Sequence, residues 1–73
     1  MQLDEFLTIL AEILEVEQVL PTSELTDYEM WDSLAQLSVT SAVEDFGIDA
    51  SPLDYSELEV VADLYNALKE LGK

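Results

Sequence analysis

Apolar residues recur every three or four positions through the opening of the chain. Leu3, Phe6, Leu7, Leu10, Ile13 and Leu14 form one stripe, and Asp4, Glu5, Thr8, Glu12 and Glu15 fall off it. That period marks an amphipathic helix with one buried face. It predicts a helix over residues 3–16, with Asp4 and Glu5 in the first turn, where negative charge suits the helix dipole. A second helix is expected over residues 33–46. Ala35, Val39, Ala42, Val43 and Phe46 share its core side, while Leu34 and Leu37 lie toward its flank beside Ser38 and Ser41. This stretch is the less apolar of the two, which leaves one of its sides incompletely buried. Val61, Leu64, Tyr65, Leu68 and Leu71 make a last stripe and predict a helix over residues 60–71.

The punctuation agrees with these elements. Asp32 suits an N-cap, because a short carboxylate accepts from the unpaired N–H groups of a first turn. Gly47 is placed to end the second helix at a left-handed position. Lys69 in the closing turn and Gly72 after it end the last one. Ser51-Pro52 is a start signal for one short turn of helix reaching Tyr55 at most. Ser56 and Glu59 have capping-box spacing, so the last helix has a second possible start near Glu57. Residues 18–32 read as a long connection broken by Pro21, with one turn of helix possible around Ser23 to Leu25. Leu20, Leu25, Tyr28, Met30 and Trp31 are its candidate anchors to the core. No window alternates with the period of a strand, and no segment repeats. The expected fold is all-α: a small four-helix bundle, three long helices plus one short, in a single domain over residues 1–73.

Charge changes the picture most. The 73 residues carry 17 Asp and Glu against two lysines, for a formal net charge of −15. Such a surface repels nucleic acid and anionic lipid and attracts basic protein patches at long range. At 49 % hydrophobic residues the chain still has enough apolar material for a core. There is no cysteine and no histidine. That removes disulfides, thiolate sites and the commonest general base, so an enzyme is not expected. No metal-binding spacing such as a calcium loop appears. The opening residues lack a basic region, and no apolar run is long enough to span a bilayer, so the expectation is a cytoplasmic monomer without membrane insertion.

One position stands out chemically. Ser33 follows the Asp32 cap and falls in the first turn of the second helix. A phosphate on its hydroxyl would lie where free N–H groups and the dipole favour an anion. Trp31 beside it reads best as a loop anchor, since a large ring buries much apolar area.

With these residues in hand, the whole chain resembles an acyl carrier protein. The resemblance is carried by Asp32-Ser33-Leu34 at a helix start, the long loop before it, and Glu44-Asp45-Phe46-Gly47-Ile48 at the helix end. Ser51-Pro52 and Val61-Ala62-Asp63-Leu64 add to it. The Trp31-Asp32 form is similar to free-standing carriers outside the housekeeping fatty-acid type. The resemblance implies that Ser33 receives 4′-phosphopantetheine from coenzyme A and that cargo rides as a thioester on the arm. It implies that Asp32 helps dock the phosphopantetheinyl transferase and its magnesium, and that Leu34 meets partner enzymes. Leu37, Glu44 and Asp45 are the further candidate partner contacts. The implied partners are the transferase, an acyl- or aminoacyl-loading ligase, and a downstream synthase or transferase with a basic patch. Steered, reversible docking of this kind is what an acidic surface provides.

Two features depart from the family pattern. The second helix reads one residue short between Ser33 and Phe46, and Val60 stands where a capping threonine is frequent; the Ser56 box is the expected compensation. Ser38, Thr40 and Ser41 make that helix a poor lining for a long alkyl chain, which favours short or polar cargo. The alternative from another class is an acidic interaction module, without modification, that occupies a basic partner as a polyanion would.

Overall fold

A computed structural model describes residues 1–72. The described residues form three α-helices and no strand: α1 (Leu3–Leu14), α2 (Ser33–Glu44) and α3 (Val61–Leu71). Two single turns of 3₁₀ helix, Leu25–Asp27 and Tyr55–Glu57, lie in the connections. The core is one apolar cluster fed by every element. Phe6, Leu10 and Leu14 come from α1, Leu25 from the first connection, Val39 and Val43 from α2, and Val61, Leu64 and Leu68 from α3. Each of these side chains is fully buried. The stripes of α1 and α3 therefore meet as their spacing predicts, and Phe6 packs on Tyr65 with ring centroids 5.7 Å apart.

α1 ends two residues before the expected limit. Glu15 turns left-handed, with φ at 57°. The N–H of Val16 then reaches the carbonyl of Ala11 at 3.0 Å, and that of Glu15 reaches Glu12 at 3.3 Å. This is the glycine-type helix stop, built here with a glutamate whose Cβ crowds the backbone. Glu15→Gly should therefore raise stability by about 1 kcal/mol, read as a higher urea midpoint at unchanged slope.

α2 also stops short of residue 46. Gly47 takes φ of 78°, and the bonds from Gly47 to Glu44 and from Ile48 to Val43 close the same motif. The helix tightens as it ends, with the N–H of Phe46 on the carbonyl of Val43 at 3.0 Å, and Phe46 is 38 % exposed instead of filling the interior. Ile48 and Ala50, just past the turn, are buried in its place.

The short helix expected after Pro52 is not an α-helix. Asp49 Oδ1 accepts from both the backbone N–H and the hydroxyl of Ser51, and Asp54 Oδ1 accepts from the same two groups of Ser56. Side chains that satisfy nearby backbone in this way compete with a helix. What remains is a turn at Ser51-Pro52 and the 3₁₀ turn Tyr55–Glu57. These bonds hold the Asp49 and Asp54 carboxyls below their ordinary pKa, the Ser51 and Ser56 hydroxyls contributing most and their backbone N–H groups next. Ser56 is thus engaged with Asp54 and does not start α3.

α3 starts at Val61 and is capped from a distance. The N–H of Val61 donates to the carbonyl of Ser23 at 2.9 Å, and that of Ala62 donates to Pro21 at 2.8 Å. Leu25 N–H donates to the carbonyl of Glu59 at 2.9 Å, beside an isolated antiparallel bridge between Glu24 and Val60. Asp63 reaches back to the N–H of Val60 at 3.3 Å. The first connection therefore supplies the acceptors that a capping side chain at Val60 would have supplied. Leu25, Tyr28 and Trp31 anchor that connection to the core, whereas Leu20 and Met30 remain exposed.

With a net charge of −15, the folded chain gathers like charges that the unfolded chain keeps apart. Screening should relieve this. The thermal midpoint is expected to rise by roughly 4–8 °C, equivalent to about 1 kcal/mol, as salt is raised from low to moderate levels. A midpoint that stays flat or falls in a salt series would show that self-repulsion does not limit this fold.

Candidate functional site

The site is built on the start of α2. Asp32 has extended backbone, and its Oδ1 accepts from the N–H of Ala35 at 3.0 Å. The cap read from the sequence is in place. Ser33 is the first residue of the helix and is exposed. Its hydroxyl makes no hydrogen bond among the described residues. It therefore stands free beside first-turn N–H groups, at the positive end of the dipole.

Trp31 packs against the core and meets Tyr55 edge-on at 5.9 Å between centroids. It anchors the loop that leads into the helix. Tyr55 Oη in turn lies 2.7 Å from Thr40 Oγ1, and Thr40 also donates to the carbonyl of Gln36. The chain from Trp31 through Tyr55 to Thr40 ties the second connection to α2.

A groove of about 400 Å³ opens beside Ser33, between α2 and the segment from Ala50 to Tyr55. Ser33, Gln36, Leu37 and Thr40 form its helix side, and Leu53 and Tyr55 lie opposite. Its polar groups are an amide and hydroxyls, and Leu37, Ala50 and Leu53 supply apolar surface. The helix start at Ser33 and the Gln36 amide are groups of the kind that a phosphate and an amide could use. The positions 33, 36, 37 and 40 share one helix face, so this half of the groove was open to reading from spacing alone. Tyr55 came from fifteen residues further on, with no local signal.

Leu34 and Leu37 are 73 % and 65 % exposed, on the turn that carries Ser33. Exposed leucines one turn apart are a contact surface when they lie together. Glu44 and Asp45 are exposed at the other end of the helix. At 1.5 Å per residue that is about 16 Å from Ser33. The structure thus gathers Asp32, Ser33, Leu34 and Leu37 and leaves Glu44 and Asp45 apart. Among the described residues, no set of acidic groups is arranged to hold a metal ion. No helix among them is long and apolar enough to cross a membrane.

Comparison with known families finds a match to the model of the phosphopantetheine attachment site, over residues 4–68. No curated protein and no solved structure matches the chain.

Proposed function

The chain belongs to the phosphopantetheine attachment family, a family of non-catalytic carriers, and from this we propose that Ser33 is the attachment residue of a single-domain acyl or aminoacyl carrier. The observation that carries the reading is the free Ser33 hydroxyl on the first residue of α2, behind a formed Asp32 cap. When bound, the arm supplies a terminal thiol that holds cargo as a thioester. The protein's own residues do the rest. Ser33 Oγ forms the phosphoester bond as the pyrophosphate linkage of coenzyme A breaks, adenosine 3′,5′-bisphosphate leaves, and the serine proton passes to the solvent or to a base of the transferase. The start of α2 favours the phosphate through its N–H groups and dipole. The side-chain amide of Gln36 offers hydrogen bonds to the amides of the arm.

Asp32 is the residue we assign to the contact with the transferase and its magnesium, and Leu34 to the contact with partner enzymes. Leu37, Glu44 and Asp45 extend that surface along α2 toward a loading ligase and a downstream synthase or transferase. The exposure of the two leucines and the lack of nearby cations support weak, steered docking. The hydroxyls of Ser38, Thr40 and Ser41 along α2 support short or polar cargo.

The test is to incubate the protein with coenzyme A, magnesium and a phosphopantetheinyl transferase and to weigh it intact. Gain of one phosphopantetheine is expected. An unchanged mass would overturn the proposal.

A further inference from the structure

A second groove, of about 430 Å³, runs along α1 and shares no lining residue with the groove beside Ser33. Its apolar side is Leu7, Ala11, Val16 and Val19. It exists because of how α1 ends. In a left-handed helix stop, the residue after the turn packs on the residue five earlier. Here those residues are Val16 and Ala11, and the methyl group of Ala11 is too small to fill the space. Val16 stays 37 % exposed over an open recess. Asp4, Glu12 and Glu17 line the same groove, and no cationic side chain does.

We infer that this face of α1 is a second docking surface, and that its occupant is a basic amphipathic helix of a partner protein. An apolar floor bordered by carboxylates is the complement of a helix with one apolar face flanked by lysine or arginine. The sign of the charge argues against other occupants. A second copy of the chain would bring its own net charge of −15 to the contact, and anionic lipid would be repelled. The surface needs no residue of the Ser33 groove, so one partner holds α1 while another works at the start of α2. The carrier is then retained between encounters by a contact remote from its arm, which raises the local concentration of the next partner.

The probe is a short amphipathic leucine–lysine peptide, titrated into the labelled protein and followed by amide chemical shifts. Saturable shifts concentrated at Leu7, Thr8, Ala11 and residues 16–19 are expected. An all-lysine peptide of equal charge should bind at least about tenfold more weakly, because it lacks the apolar face. Val16→Asn, and separately the pair Glu12→Lys and Glu17→Lys, should each weaken the leucine–lysine peptide by about tenfold or more while leaving phosphopantetheine loading unchanged. Equal binding of the two peptides would overturn the inference, as would shifts spread evenly over the surface, shifts centred on Leu34 and Leu37, or the absence of saturable binding. Loading at Ser33 is scored separately, so failure here leaves the carrier reading intact, and failure there leaves this one intact.

Discussion

Ser33→Ala is expected to abolish phosphopantetheine loading while leaving the fold in place. The hydroxyl is the only group the change removes, and alanine is the best helix former. The Asp32 cap on Ala35 does not involve the Ser33 side chain. The cost in stability should be within about 0.5 kcal/mol, so circular dichroism and the thermal midpoint should match the parent. Other serines are poor substitutes for physical reasons. Ser51 and Ser56 donate their hydroxyls to Asp49 and Asp54. Ser38 and Ser41 are exposed but lie inside α2, where the backbone N–H groups are already paired along the helix. The measurement is intact mass after transferase treatment. Addition that persists in Ser33→Ala would move the attachment elsewhere and remove the basis for the groove assignment.

Phe6→Ala should unfold the protein at room temperature. Phe6 is fully buried and stacks at a tilt on Tyr65. Truncating a buried phenylalanine costs roughly 3–5 kcal/mol, from lost transfer free energy and the cavity left behind. A chain of this size has a core that supplies little more than about 3–5 kcal/mol of net stability. The two magnitudes meet, so no folded majority remains. Far-UV circular dichroism should lose most of its helical signal, and loading should fail with it because the capped start of α2 exists only in the folded state. Phe6→Leu keeps most of the volume and should cost less than about 1.5 kcal/mol, which leaves the chain folded and loadable. A Phe6→Ala protein with full helical signal would mean that the core is more redundant than its burial indicates.

The parts of this fold that are written locally were legible, and the parts written across the chain were not. The stripes of α1 and α3 follow from spacing alone, because a helix face is a property of residues three and four apart. The Asp32 cap is equally local: the carboxylate and the N–H that donates to it lie three residues apart. The spacing of Phe46 fits the core face, but the last turn tightens to bonds three residues apart ahead of the left-handed Gly47, and the face ends before Phe46. The short helix after Pro52 gave way to the turns held by Asp49 and Asp54, which satisfy the same backbone groups at shorter range. Val60 has no capping side chain, and nothing near it in sequence reveals that Ser23 and Pro21 supply the carbonyls. The Tyr55 wall of the groove beside Ser33 was hidden for the same reason. Its partner, Thr40, belongs to another element.

The backbone bonds that join residues 21–25 to residues 59–62 also make the middle of the chain a closed ring. All of α2 lies inside it. Closing so many residues carries an entropic cost that grows only slowly with length, but it is incurred in one step. The N–H groups of Val61 and Ala62, in the first turn of α3, meet their acceptors only when that step occurs. Fraying of the last helix and release of the first connection are therefore one event. A perturbation that opens either end of the ring slackens the segment that presents Ser33, even though none of the closing bonds involves Ser33 or its cap.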